Sequence, residues 1–205
     1  MVRVVIISGG RIADYEYICS FVHEGDVIIC ADSGYDHAVK MGFAPHVVVG
    51  DFDSIGEIPQ GVEKVCYPAE KDMTDTEIAI EYAVNKGFDD FLILGATGAR
   101  LDHGLANILM LKALIDAGKR AVIVDEHNKI MMTSSSLSIK EPKGSIVSLI
   151  PIENCTGVTT QGLKYSLTDA KLIIGKSVGV SNVMVANEAC VSIKSGLLVV
   201  IVARD

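Results

Sequence analysis

The sequence predicts an α/β protein in which a parallel-sheet, Rossmann-like N-terminal domain precedes a small all-β sandwich domain. Up to about residue 127, short aliphatic runs alternate with stretches of helical spacing, which is typical of a parallel sheet covered by helices. After residue 128 the helical spacing ends. Short runs rich in Ser, Thr, Val and Ile then follow, separated by glycines, as in antiparallel sheets. We therefore predict domains at residues 1–127 and 128–205.

Apolar runs and turn residues predict the individual elements. Thr74 and Glu77 have the spacing of a capping box, which marks the start of one helix, and Gly87 ends it. In the first domain, strands are predicted at 2–7, 27–30, 46–49, 62–66, 91–94 and 121–124, and helices at 14–22, 35–41, 74–86 and 101–117. In the second domain, strands are predicted at 146–150, 158–160, 170–174, 180–185, 189–193 and 197–202.

Composition excludes several classes of partner and compartment. The formal net charge is −8 and no basic cluster occurs, which argues against a nucleic acid or an anionic membrane surface as partner. The longest apolar runs have the length of strands, and the first passes directly into Ser8-Gly9-Gly10, so we predict a strand there rather than a signal peptide. The five cysteines are scattered and odd in number, as expected of small buried apolar residues in a reducing compartment. We expect a soluble cytoplasmic protein.

An acidic turn follows the third predicted strand. Three valines at 47–49 lead into Gly50, and the carboxylates Asp51 and Asp53 follow two residues apart. Side chains two apart on an extended strand end point to the same side, so both carboxylates can converge on one point. Two oxygen ligands of this kind suit Mg²⁺, which keeps further sites for water and substrate phosphates. The alternative is an ordinary polar turn, since Asp and Ser are common turn residues.

Other charged residues lie where the predicted sheet brings them beside this turn. Asp32 follows the second strand, and ligands of parallel α/β sheets bind beyond the carboxyl ends of the strands. Lys71, Asp72 and Asp75 come at the start of the third helix, where Asp75 is also explained by the helix dipole. A lysine beside carboxylates suits a phosphate–metal assembly, with Lys71 neutralising phosphate oxygens and Asp75 completing the shell of the ion.

The segment from Gly95 to His103 joins a strand to the fourth helix. It matches neither a Walker A loop nor the dinucleotide glycine pattern. Its glycines permit close approach of the backbone to an anion, the helix N–H groups point outward, and Arg100 can bind phosphate oxygens with two hydrogen bonds. The alternatives are a plain glycine-rich connection with Asp102 in the first helical turn, and a capping or packing role for His103.

These motifs, taken in order, resemble the thiamine pyrophosphokinase family. The resemblance rests on two groups of residues, one in each predicted domain. The first group is Ala31-Asp32-Ser33-Gly34, Gly50-Asp51-Phe52-Asp53-Ser54, Lys71-Asp72-x-Thr74-Asp75 and Gly95-x-x-Gly98-x-Arg100-x-Asp102-His103. The second group is Gly162-Leu163-Lys164-Tyr165, Val180-Ser181-Asn182 and Gly196-Leu197-Leu198. The resemblance covers essentially the whole chain. One departure is Val183, where many members have Glu after Ser-Asn.

The resemblance implies a reaction and an assembly. Members transfer the diphosphate group of ATP to the hydroxyl of thiamine, release AMP and require Mg²⁺. They are homodimers with the site between subunits. ATP and thiamine are thus the expected substrates of this chain, and a second copy of the chain is its expected partner.

The resemblance and the motif interpretations together give the expected site. Mg²⁺ is assigned to Asp51, Asp53 and Asp75, and proton acceptance to Asp72. The ATP and phosphate site is assigned to Asp32, Ser33, Gly34, Lys71, Thr74, Thr97, Gly98, Arg100, Asp102 and His103. Thiamine is assigned to Tyr165, Ser181 and Asn182, for which a half-buried strand aromatic and a turn are the structural alternatives.

Two other functions stay open at this point. One is a related pyrophosphokinase with a different acceptor, such as a hydroxymethylpterin. The other is a sensor that binds a nucleotide or thiamine diphosphate without turnover, although a simple phosphate binder has little use for so many carboxylates.

Overall fold

The structure, a computed structural model, describes residues 2–51, 61–67, 72–98 and 100–204. The chain divides into two compact units, Met1–Glu126 and His127–Asp205.

The first unit alternates strands and helices. All ten elements predicted for it are present, with ends that differ by a few residues. In chain order they are β1 (Val4–Ile7), α1 (Tyr15–Cys19), β2 (Val27–Ala31), α2 (Gly34–Lys40), β3 (Val47–Gly50), β4 (Glu63–Cys66), α3 (Asp75–Asn85), β5 (Asp90–Leu94), α4 (Leu101–Asp116) and β6 (Arg120–Val124). The predicted helix at 14–22 is shorter than expected, because α1 has only five residues.

The six strands of this unit form a parallel sheet in the order β6-β5-β1-β2-β3-β4. The chain builds outward from β1 through β2, β3 and β4, and then returns to the other side of β1 with β5. The order therefore reverses between β1 and β5. At such a switch point the loops leave the sheet in opposite directions and open a crevice beyond the strand ends.

The core of the first unit lies on both faces of this sheet. β1 is fully buried along its length, as expected of a central parallel strand. Val5 and Ile7 point to one face, where they belong to a cluster with Ile18 of α1 and Ala38 of α2. The intervening residues point to the opposite face. Helix α3 packs against β1, β2 and β3, and α4 packs against β6.

The second unit consists of antiparallel strands in two sheets. They are β7 (Asn128–Thr133), β8 (Ser136–Lys140), β9 (Ile146–Pro151), β10 (Cys155–Gln161), β11 (Ala170–Leu172), β12 (Asn182–Val183), β13 (Glu188–Ser192) and β14 (Leu198–Ala203). One sheet has the order β12-β9-β14-β7 and the other β11-β10-β13-β8. The sequence interpretation did not predict β7 and β8. β7 begins with the polar Asn128-Lys129 and contains two methionines in place of β-branched residues, but β8 has the polar–apolar alternation of a half-buried strand.

Two expectations from the sequence are corrected in part. The predicted strand at 180–185 is reduced to Asn182–Val183, because Gly179 and Ser181 have positive φ angles of 100° and 57° that interrupt an extended strand.

Cys30 and Cys155 are buried as expected, but Cys66 and Cys190 are exposed. Cys66 lies on the edge strand β4, and Cys190 points to the outer face of β13.

Within the described residues, no helix is both long and apolar enough to cross a membrane.

Candidate active site

A pocket of about 400 Å³ opens at the carboxyl ends of β1, β2 and β5. This volume is within the range of small-molecule sites. The first residues of α3 and α4 complete its wall, so the pocket lies at the switch point of the sheet. Eight of the residues predicted for the site line it, namely Asp32, Ser33, Thr74, Asp75, Thr97, Gly98, Arg100 and His103.

The loops after β1 and β5 form the floor of the pocket and lie against each other. Gly10 N donates to Gly95 O over 2.8 Å. A Cβ built on Gly10 would lie 2.4 Å from Gly95 O, and one on Gly95 would lie 2.3 Å from Ser8 O. Gly95 also has a φ of 62°, which glycine adopts without cost. The two loops therefore approach this closely only because both positions are glycine.

Asp32 lies at the end of β2 in a conformation that is unusual for a non-glycine residue. Its φ is 45°, and its N–H donates to Val49 O over 2.8 Å. Gly50 lies close behind it, since a Cβ built there would be 3.3 Å from the Asp32 Cα. Left-handed backbone at such a residue costs on the order of 1 kcal/mol or more, and it concentrates at functional sites. The surrounding strands thus hold the Asp32 carboxylate at the edge of the pocket.

The start of α3 is fixed by its cap and by a buried contact with β1. The Thr74 side chain accepts a hydrogen bond from Glu77 N. This confirms one of the two hydrogen bonds of the predicted capping box. Thr76 Oγ1 donates to Ser8 Oγ over 2.9 Å in a buried position. Asp75 is the first helical residue and lines the pocket, so its carboxylate also faces the positive end of the helix dipole.

The loop before α4 carries an ion pair at the mouth of the pocket. Arg100 donates to Asp102 from Nη2 over 2.6 Å and from Nε over 3.2 Å. Both side chains are mostly exposed. The Arg100 side chain and, to a lesser degree, the His103 backbone N–H lower the pKa of Asp102 from 3.8 to about 2, so this carboxylate is ionised at neutral pH.

Further hydrogen bonds hold the β5–α4 loop itself. Thr97 Oγ1 donates to Asp125 Oδ2 over 2.6 Å. Asn107 of α4 is buried, and its Nδ2 donates to Ala96 O over 2.6 Å. The loop is therefore tied to both the end of β6 and the interior of α4 before any ligand arrives.

The remaining predicted residues of this unit divide into three groups. Gly34 begins α2 against β1, where a Cβ would lie 1.9 Å from Ile7 O, so it supports the site by packing. Asp51 follows β3, Asp72 lies in the segment before α3, and Asp102 lies in the first turn of α4. None of these three residues lines the pocket. Asp53 and Lys71 lie outside the described residues.

The donor set suits Mg²⁺ in its chemistry, because Asp51 and Asp75 offer the carboxylate oxygens that this ion prefers. Among the described residues, no three His, Cys, Asp or Glu side chains lie close enough to form a metal site. Asp53, one of the three predicted ligands, lies outside the described residues.

The predicted thiamine residues lie in the second unit, where Asn182 supports Tyr165. Asn182 is 3% exposed, and its Oδ1 accepts from Tyr165 N over 3.0 Å while its Nδ2 donates to Tyr165 O over 2.7 Å. The Tyr165 ring is 62% exposed, with Lys164 Nζ 5.4 Å from its centroid. Ser181 is exposed, and its N–H donates to Ser148 Oγ.

The sequence interpretation missed part of the pocket. The Ser8-Gly9-Gly10-Arg11 segment, Thr76 and Asn107 line it but were not predicted as site residues. The first segment had a usable signal, because two glycines directly after a strand mark a carboxyl-end loop. Thr76 and Asn107 had no such signal, because each is a polar residue inside a helix whose partner lies outside that helix, Ser8 for Thr76 and Ala96 for Asn107.

Comparisons with known proteins now decide the family. The model of the thiamin pyrophosphokinase catalytic domain matches residues 18–123, and the model of the thiamin pyrophosphokinase vitamin B1 binding domain matches residues 134–198. A thiamine pyrophosphokinase of Bacillus subtilis is 30% identical over the full length of both chains. This chain belongs to the thiamine pyrophosphokinase family.

Solved structures agree with this family. A crystal structure of a thiamine pyrophosphokinase from Bacillus subtilis superposes with a TM-score of 0.90 at 27% identity, over 99% of both chains. One from Geobacillus thermodenitrificans gives 0.86 at 28% identity, over 100% of this chain and 98% of the other. The vitamin B1 binding match contains Tyr165, Ser181 and Asn182, whereas the catalytic match starts after the Ser8–Arg11 segment.

Proposed function

We propose that this chain transfers the diphosphate group of ATP to the hydroxyl of thiamine, giving thiamine diphosphate and AMP. The observation that carries the proposal is the pocket at the switch point between β1 and β5, lined by Asp32, Asp75, the 95–98 loop and Arg100 in a member of this family. A phosphate-rich ligand fits this wall, because it combines glycine backbone with the N-terminal ends of two helices. The finer features of the fold, a Rossmann-like first unit and a sandwich of the two antiparallel sheets, are part of the same proposal.

The reaction needs an in-line approach and dispersal of charge. The hydroxyl oxygen of thiamine forms a bond to the β-phosphorus of ATP, and the bond from that phosphorus to the α–β bridging oxygen breaks. AMP leaves with that oxygen, and the β,γ-diphosphate stays on thiamine. Because such transition states are loose and rich in charge, positioning and electrostatics supply most of the rate enhancement.

Each side chain has a proposed part in this step. Arg100 exchanges part of its pairing with Asp102 for phosphate oxygens, and Lys71 neutralises further phosphate charge. Asp102 keeps Arg100 oriented in the free enzyme. The hydroxyl proton passes to Asp72, whose exposed position leaves it free to hand the proton to water.

Nucleotide binding is assigned to the rest of the pocket wall. Asp32 and Ser33 at the end of β2, Thr74 at the cap of α3, and Thr97 and Gly98 after β5 offer hydrogen-bonding groups around the nucleotide. His103 closes the wall on the side of α4, and Gly34 permits the close packing of α2 against β1.

We assign Mg²⁺ to Asp51, Asp53 and Asp75. Held by these residues, Mg²⁺ would supply positive charge that offsets the negative charge of the polyphosphate. Asp51 directly follows β3, and Asp75 begins α3 and lines the pocket, so both offer carboxylate oxygens as ligands.

Thiamine is assigned to the second unit. The exposed Tyr165 ring packs against the acceptor and Ser181 contacts it, while Asn182 keeps the Tyr165 backbone in place. The net charge of −8 favours the cationic ring of thiamine. A cytoplasmic location is part of the proposal and is supported by five cysteines that form no disulfide.

We also propose that the chain acts as a homodimer with its site between subunits. Leu101, Leu105 and Leu109 lie one turn apart on α4 and are 81%, 51% and 41% exposed, which is an apolar stripe that a second copy would cover. Sedimentation analysis measures this directly. A mass of twice 21.8 kDa is expected, and a monomer at the concentration of the assay would contradict the dimer.

The acceptor is tested by measuring AMP release in the presence of ATP, Mg²⁺ and one of two alcohols. AMP is expected with thiamine and not with hydroxymethylpterin. Release of AMP with the pterin and not with thiamine would support diphosphate transfer from ATP but would show that the acceptor is a pterin. Tight binding of thiamine diphosphate without any AMP release would instead favour the sensor function.

A further inference from the structure

The segment from Ser8 to Asp14, between β1 and α1, is held by hydrogen bonds at Ser8, Gly10, Ala13 and Asp14. Ser8 N donates to Leu94 O and Gly10 N to Gly95 O, each over 2.8 Å, and Ser8 Oγ accepts from Thr76. At the far end, Glu126 Oε1 accepts from Ala13 N and Asp14 N.

Arg11 is the side chain that this segment directs into the pocket wall. The next residue, Ile12, is 7% exposed and packs into the core beside β1. Arg11 is exposed and lines the pocket. Its backbone lies beside the β5–α4 loop, since a Cβ built on Gly98 would be 3.2 Å from Arg11 N. Arg11 therefore enters the pocket wall next to the loop proposed to receive phosphates.

The charges of the pocket favour an anion at Arg11. Among the described lining residues, the guanidinium groups are those of Arg11 and Arg100, and Arg100 is paired with Asp102. Asp32 and Asp75 add negative charge to the same wall, so a polyphosphate entering it needs every available cation.

From this arrangement we propose that Arg11 binds the polyphosphate of the nucleotide as a further substrate-binding residue. The inference rests on the proposed function, which supplies a nucleoside triphosphate as ligand. A guanidinium group binds phosphate oxygens with two parallel hydrogen bonds, and the fixed segment removes much of the entropy cost of ordering it. The matched catalytic domain begins at residue 18, so Arg11 belongs to the part of the site that this match does not reach.

The test compares Arg11→Gln with Arg120→Gln. Arg120 is also exposed but lies at the amino end of β6, where it pairs with Asp90, so its variant loses the same charge away from the pocket. The dissociation constant for MgATP is measured by calorimetry, and the KM for ATP is measured at saturating thiamine. Arg11→Gln should raise both by about 10- to 100-fold, as loss of hydrogen bonds to a charged group predicts, and Arg120→Gln should change them less than about twofold. Arg11→Lys should recover only part of the loss.

The outcomes separate this inference from the reaction itself. Turnover with thiamine and equal MgATP affinity in the two glutamine variants would overturn the role of Arg11 and leave the reaction intact. Weaker MgATP binding in Arg11→Gln alone would support the role even if no thiamine diphosphate formed. A wild-type protein that does not bind MgATP would overturn both.

Discussion

Asp75 has two roles at the residue scale, which a substitution can separate. It begins α3, where its charge interacts with the helix dipole, and it lines the pocket, where we assign it to Mg²⁺. The dipole interaction is worth about 0.3–1 kcal/mol, which alters the stability of the helix but not the rate of a chemical step.

The Asp75→Asn variant should therefore lose turnover and keep its fold. We expect kcat to fall by at least about 100-fold, or about 2.7 kcal/mol of transition-state stabilisation, since an amide is a poor Mg²⁺ ligand. Glu77→Gln is the matched control, because Glu77 lies in the same helical turn but does not line the pocket. Steady-state kinetics and thermal melting measure both effects, and near-normal turnover in Asp75→Asn would remove the residue from the metal site.

Tyr165 allows a similar separation on the thiamine side. Its ring is 62% exposed, so truncation removes a contact surface without opening a cavity. Tyr165→Ala should raise the KM for thiamine about tenfold or more and leave the KM for ATP unchanged, because loss of a stacked aromatic contact is worth about 1–3 kcal/mol. Tyr165→Phe keeps the ring and should behave like the wild type. An unchanged KM for thiamine in Tyr165→Ala would take the residue out of the acceptor site.

At the element scale, α1 and α2 are joined by a hydrogen bond that depends on pH. Tyr15 OH and His37 Nδ1 lie 2.7 Å apart. Burial lowers the pKa of His37, an effect that Lys40 reinforces and that the Gly10 backbone, Asp36 and Glu126 oppose. The folded protein therefore favours neutral His37 more than the unfolded chain does.

The stability of the protein should accordingly fall as the pH drops below about 6.5, the ordinary pKa of His. Because the folded pKa is below the unfolded one, the stabilisation is fully present above the unfolded pKa and is lost as the pH falls through the folded pKa. The ion pair of Arg3 with Asp26 does not interfere. Burial raises the pKa of Asp26, but the hydrogen bonds from Arg3 and the His23 backbone, together with the charges of Arg3 and His23, outweigh it and hold this pKa below its usual value. Urea unfolding at pH 7 and pH 5 measures the effect. His37→Gln cannot titrate and should show a smaller difference, and parallel behaviour of the two proteins would contradict this origin.

Across the whole molecule, local sequence patterns predicted the individual helices and strands better than they predicted which of these elements lie side by side. Thr74 and Glu77 identified the start of α3 because a cap is a contact within one helical turn. The position of Ser8–Arg11 beside Gly95 depends on the return of β5 to β1, which no local pattern specifies. For this reason Arg11 was missed. Thr76 and Asn107 were missed because their hydrogen-bond partners, Ser8 and Ala96, lie outside their own helices.

The second unit shows the same limit. The glycine-rich β pattern predicted its class, but the turn at Ser181 shortened one strand, and the contact between Asn182 and Tyr165 spans 17 residues. Only the structure assigns the Asn182 amide to the Tyr165 backbone, which makes a supporting role more suitable for it than a direct contact with thiamine.

Phosphorus NMR of the purified protein with ATP, Mg²⁺ and thiamine tests the central claim most directly. The spectrum distinguishes the transfer of a diphosphate from that of a single phosphate. We expect AMP and thiamine diphosphate to appear one-for-one, and only when thiamine and the metal are both present. Formation of ADP with thiamine monophosphate, or no consumption of ATP, would contradict diphosphate transfer by this chain.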